Sequence, residues 1–234
     1  MVLVQQALDS PASVQMKTFV VNGWASSVEA WDLCSFPRDR VYSYVEALDG
    51  VFERDLARSD SAVCVGWSMG ASVVLQNVVR YSEKIKALVL LAGTPRMMAA
   101  PGWRGMNERR LSALKKGLEI SIAQHKARRI AGDITFSPYA DDSAENLDRG
   151  LDFLRSLDCR EALSGRSNAG AFDEIEVRIF QSYADAVVPV HNAHFLKSVF
   201  PKSQLLLVDG AEHALPVSIP GLIDEAYFDV VSKL

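Results

Sequence analysis

The run Gly66-Trp67-Ser68-Met69-Gly70 constrains this chain more than any other feature. Before it, Ser61 to Val65 is a short apolar run that reads as a buried strand. After it, Ala71 to Arg80 reads as a helix packed on a sheet. A serine between two such elements stands at a sharp turn at the end of a sheet, exposed for attack on a carbonyl carbon. The flanking glycines fit a tight, strained turn that leaves no room for Cβ atoms. The five-residue pattern alone arises by chance in roughly one chain in ten of this length. The strand and helix around it therefore carry the weight, and the rest of the chain must supply a base and an acid.

The alternation of strand and helix extends well beyond this turn. Met16 to Val21 reads as a strand ending in the turn Asn22-Gly23, Trp31 to Leu33 as the start of a short helix, and Arg40 to Tyr44 as a strand. Val51 to Arg58 reads as a helix and Ile85 to Ala92 as a strongly apolar strand. From about Trp103 to Asp158 no strand is legible. Instead Leu111, Leu114, Leu118 and Ile122 recur at helical spacing, and Leu147, Leu151, Leu154 and Leu157 do so again. Alternation resumes with a strand at Glu176 to Phe180, a helix at Asn192 to Val199, a strand at Gln204 to Val208 and a closing helix at about Leu222 to Ser232. The pattern predicts one α/β domain over residues 1–234. Its sheet is mostly parallel with helices on both faces, and a helical lid is inserted at about 96–165.

Ligands of open parallel sheets sit at the carboxyl ends of the strands. Three strand ends carry matching chemistry: Ser68, then Asp185 after the strand ending at Phe180, then His213 after the last strand. A serine hydroxyl is a weak nucleophile at neutral pH. An imidazole must take its proton, and a carboxylate must hold that imidazole in the right tautomer. The order Ser, Asp, His is the one used with this kind of serine turn. Competing groups are less well placed. His125 falls in the helical insertion, His191 and His194 begin a helix, and Asp209 shares a strand end with His213. Two backbone N–H groups should receive the oxyanion, one from Met69, next after the serine, and one from Trp24 in the loop after the first strand.

Composition excludes several classes. The chain has 234 residues, 49% hydrophobic and 23% charged, with a net charge of −4, which implies no general affinity for nucleic acid. No run is long and apolar enough to span a bilayer, and Met1 to Met16 lacks the pattern of a secretory signal. Cys34, Cys64 and Cys159 are widely spaced and odd in number, so they read as reduced thiols of a cytoplasmic protein rather than a disulfide framework or a metal site.

These residues resemble the α/β-hydrolase family. Within it they are similar to the pimeloyl-acyl-carrier-protein methyl ester esterases of biotin synthesis, from about Lys17 to the end. Asn22-Gly23-Trp24, the Gly66 to Gly70 turn and the Asp185 and His213 loops carry the wider resemblance. Trp103 to Met106 and Gly150 to Asp158 carry the narrower one. The resemblance implies a serine carboxylesterase with Ser68, Asp185 and His213 as its triad. It places Trp24 and Met69 at the oxyanion and substrate site, requires no cofactor or metal, and implies an acyl-carrier protein as the partner bearing the substrate. The chain departs from the family at Asn22, where relatives usually have histidine, and at Ala71, where many have glycine. Between Trp103 and Gly132 eight basic residues face two acidic ones, a local balance of +6. A basic lid carrying Arg109, Arg110, Lys115, Lys116, Arg128 and Arg129 would draw in an acidic carrier. The same scaffold also hosts broad short-chain carboxylesterases, a menaquinone-pathway lyase and non-catalytic ligand binders. The lyase commonly has an arginine where this chain has Ser72.

Overall fold

The computed structural model describes residues 16–130 and 142–234. Among these residues six strands form one sheet: β1 (Met16–Val21), β2 (Arg40–Tyr42), β3 (Ser61–Trp67), β4 (Ile85–Leu91), β5 (Glu176–Ser182) and β6 (Gln204–Val208). Their order is β2-β1-β3-β4-β5-β6, and every pairing is parallel. The helices are α1 (Tyr44–Leu48), α2 (Val51–Arg58), α3 (Met69–Tyr81), α4 (Glu108–Ile130), α5 (Ala144–Ser156), α6 (Arg160–Asn168), α7 (His191–Val199), α8 (Leu215–Ser218) and α9 (Pro220–Val231).

The apolar runs of β3 and β4 follow from burial on both faces. Alternate side chains of a strand point to opposite sides. Ala62 and Cys64 of β3, with Leu88 and Leu90 of β4, join a core formed with α3, α5 and α7. Val63, Val65 and Trp67, with Ala87, Val89 and Leu91, join a second core with α9 and the segment around Trp31 and Phe36. The sheet is therefore sandwiched, and α4, α5 and α6 form the insertion between β4 and β5.

Local capping explains where the elements differ from the sequence reading. The predicted strand at Arg40 to Tyr44 stops at Tyr42, because Ser43 and Glu46 form a reciprocal capping box that starts α1. The short helix expected at Trp31 to Leu33 is instead a 3-10 turn over Val28–Trp31, capped by Ser27. Helix α6 was not legible, since Leu163 is its only buried residue and one apolar position gives no period. Among the described residues no helix is long and apolar enough to cross a membrane. The expectation about a secretory signal falls almost wholly on residues 1–15, outside the described ones.

Candidate active site

Ser68 joins β3 to α3 with φ 56° and ψ −119°, a left-handed conformation for a residue with a side chain. It is held there from both sides. The Ser68 N–H donates to Leu91 O at 2.8 Å, and its carbonyl accepts from Ser72 N at 3.1 Å. The glycines are required by close approach. A Cβ on Gly66 would lie 2.6 Å from Ala71 Cα, and one on Gly70 would lie 2.6 Å from Asn22 O. Ala71 finds room for its methyl because Gly93 opposite has none; a Cβ there would be 2.9 Å away. The other non-glycine residues with positive φ among those described are Ala25 (55°) and Ala92 (47°), which follow β1 and β4. Backbone strain thus collects at three strand ends around one spot, as it does at functional sites.

Side chains from three strand ends meet at that spot. His213 Nε2 lies 2.8 Å from Ser68 Oγ, and His213 Nδ1 lies 2.8 Å from Asp185 Oδ2. The Asp185 side chain is fully buried. Its Oδ1 accepts from Val187 N at 2.8 Å and Val188 N at 2.9 Å, and its Oδ2 also accepts from Gln181 Nε2 at 2.9 Å. Burial pushes this carboxyl up, but the hydrogen bond and charge of His213 and the two backbone N–H groups outweigh burial and hold it below its ordinary value. The carboxylate therefore stays ionised and can orient an imidazole.

The histidine loop is itself pinned. Trp67 Nε1 donates to His213 O at 2.9 Å, and Ser182 Oγ donates to Ala211 O. Trp67 and Gln181 are not legible as site residues in the sequence. Trp67 stands at a variable position of the G-x-S-x-G turn, and Gln181 reads as one more strand residue, so neither carries a local signal.

Ser68, His213, Trp24 and Met69 line one cavity of about 310 Å³. Its walls are apolar, built from Met97, Met106, Leu114, Leu151 and Leu154 of the insertion and Val188 of the aspartate loop. Met69 is the first residue of α3, where N–H groups have no acceptor one turn back. Trp24 is tied to α5 of the insertion, its Nε1 donating to Leu147 O at 2.9 Å. Asn22 is wholly buried. A cavity of about 370 Å³ between α2, α3 and α6 has no serine or histidine in its lining among the described residues. Its one thiol, Cys159, is pushed up to about 12 by burial and stays unreactive.

The insertion's basic residues divide into groups. Lys115 is engaged by Asp148 at 2.8 Å and Asp152 at 2.6 Å. Arg110 is exposed and, among the described residues, is the one lysine or arginine lining the cavity. Arg109 and Lys116 have no carboxylate partner among the described residues. The side chains of His125, Arg128 and Arg129 lie outside the described ones. His191 packs edge-on against Trp103, ring centroids 4.8 Å apart, and Asp209 is exposed.

A family model for the alpha/beta hydrolase fold matches residues 23–218. The chain belongs to the alpha/beta-hydrolase fold family. This hydrolase is 25% identical over 251 residues to the pimeloyl-[acyl-carrier protein] methyl ester esterase of Klebsiella pneumoniae (strain 342), covering 92% of this chain and 93% of the relative. It is 24% identical over 248 residues to the protein of the same name from Salmonella typhi, with the same coverage. Among solved structures, a hydrolase from Oleispira antarctica superposes with a TM-score of 0.70 at 14% identity, covering 94% of this chain and 92% of that one. An esterase from Exiguobacterium antarcticum superposes with a TM-score of 0.69 at 15% identity, covering 92% of each. At these identities the structural likeness speaks for the hydrolase fold.

Proposed function

We propose that this hydrolase is a serine carboxylesterase that removes the methyl ester from pimeloyl-acyl-carrier protein in biotin synthesis. The observation that carries the catalytic part is the unbroken chain from Ser68 Oγ through His213 to Asp185, with both links at 2.8 Å. His213 takes the Ser68 proton as Oγ bonds to the ester carbonyl carbon. The N–H groups of Trp24 and Met69 receive the oxyanion. The carbon–methoxy bond then breaks, and His213 passes the proton to the departing methanol. Water, deprotonated by the same imidazole, attacks the acyl-serine, releasing the acid and restoring Ser68. Asp185 stays ionised and stabilises the imidazolium at each stage.

The substrate part rests on the relatives' names and on the cavity. Its apolar walls suit a methylene chain, which gains from leaving water. Arg109, Arg110 and Lys116 on α4 offer an acidic carrier a basic approach to the cavity mouth. We place the enzyme in the cytoplasm, where its three buried free thiols would stay reduced. A purified enzyme should hydrolyse methyl pimeloyl carrier protein with a kcat/KM well above that for short free esters. Turnover of the small esters without the carrier-bound one would remove the substrate assignment and favour a broad short-chain carboxylesterase.

A further inference from the structure

The loop after β1 is held by a residue the mechanism does not use. Asn22 is wholly buried, and its amide works in two directions. Nδ2 donates to Ser26 O at 2.8 Å, closing the loop across four residues, while Oδ1 accepts from Trp31 Nε1 at 3.1 Å. Ser26 answers with a bond in the opposite sense, its Oγ donating to Gly23 O at 2.6 Å. Between these crossed bonds lie Trp24 and Ala25, and Ala25 is kept at φ 55°, a conformation alanine avoids when unconstrained. The same loop sits directly on the serine turn. A Cβ on Gly23 would be 3.3 Å from Ser68 Cβ, and one on Gly70 would overlap the carbonyl of Val21 and lie 2.6 Å from that of Asn22.

We infer that Asn22 is a positioning residue for the oxyanion site: its side chain sets the path of residues 22–26, and so the aim of the Trp24 N–H at the developing charge. The inference rests on the serine-esterase reading above. An amide suits the position because it offers a donor to one carbonyl and an acceptor to one indole from a single short side chain. Aspartate has the same shape but only acceptors, so it would keep the Trp31 bond and face the Ser26 carbonyl with a second oxygen. Oxyanion donors act on the transition state through geometry, so a misdirected N–H should lower kcat while leaving ground-state binding nearly intact.

The test compares wild type, Asn22→Asp, Ser26→Ala and Ser68→Ala on a short-chain ester. It also measures inhibition by a trifluoromethyl ketone, whose adduct with a serine carries an oxyanion. Circular dichroism melts establish that each variant is folded at the assay temperature. In Asn22→Asp we expect kcat to fall at least about tenfold, KM to stay within about threefold, and the ketone Ki to rise by the factor that kcat/KM falls. Should Asn22→Asp fail to fold, Ser26→Ala decides, with the same split in smaller measure. A folded variant with kcat within about twofold of wild type, or with a large fall in kcat and an unaltered ketone Ki, would overturn the inference alone. A wild-type chain inert toward esters, or a fully active Ser68→Ala, would overturn the esterase reading and this inference with it.

Discussion

Replacing Gly150 with alanine sets helix propensity against the packing of α5 on the loop after β1. Gly150 lies in the middle of α5, where propensity alone favours alanine by about 1 kcal/mol. The structure predicts the opposite sign. A Cβ at this position would overlap Trp24 Cδ1 and lie 2.6 Å from Trp24 Nε1, with Tyr44 Cε2 at 3.3 Å beyond. The indole is rigid and is held by its bond to Leu147 O, so it cannot turn aside without giving up that bond. Losing the bond costs about 1 kcal/mol. Overpacking at a buried contact costs about 1–3 kcal/mol more. Set against the propensity gain, the net destabilisation is about 1–3 kcal/mol. For a chain of this size that lowers the melting midpoint by roughly 3–10 °C. Differential scanning calorimetry measures the midpoint, and ester hydrolysis reports the displaced Trp24 at the cavity wall. A Gly150→Ala variant as stable as wild type or more so, with unchanged kcat/KM, would refute this role for the contact of α5 with Trp24.

Further outcomes follow from the site. Ser68→Ala should keep its melting midpoint and lose about 10⁴-fold or more in kcat, and Asp185→Asn should lose about 10⁴-fold with its fold intact; residual activity near wild type in either variant would count against the triad. Reversing Arg109 and Lys116 to glutamate should raise KM for the carrier-bound ester while sparing short free esters, and raised salt should mimic the change in wild type; equal effects on both substrates would argue against docking. Asp158 is held below its ordinary value by Arg160, and by Arg96 against the effect of burial, while Asp185 is lowered by the bonds that outweigh its burial. Each carboxyl is lower in the folded state, so each contributes stability above the ordinary carboxylate range that is lost as pH falls through the folded value. The melting midpoint should fall progressively below about pH 5, and Asp185→Asn should flatten part of that fall; an identical pH dependence in the variant would contradict the assignment.

The parts of this molecule that were legible in its sequence are those where one local cause dominates. The apolar runs of β3 and β4 announce strands buried on both faces, and the glycines around Ser68 announce a turn where backbone meets backbone. The carboxyl ends of β5 and β6 delivered Asp185 and His213 because a parallel sheet gathers its strand ends on one side. Other parts depend on distant partners. Helix α1 exists through the Ser43–Glu46 capping box, too short to show a period. Helix α6 buries only Leu163. The basic balance of the insertion was visible, but not that Asp148 and Asp152 of α5 would engage Lys115, since those residues lie outside the stretch that looked basic. Asn22 reads as a turn former beside Gly23, and only its contacts with Ser26 and Trp31 set it apart.

In the proposed reaction Ser68 is the group that forms the covalent bond to the acyl carbon. Labelling the enzyme with a fluorophosphonate and mapping the adduct by mass spectrometry tests it most directly. A single adduct on Ser68, formed in step with loss of esterase activity and greatly slowed in His213→Ala, is the result predicted. Full loss of activity with the adduct on another residue, or undiminished activity with Ser68 fully labelled, would contradict it.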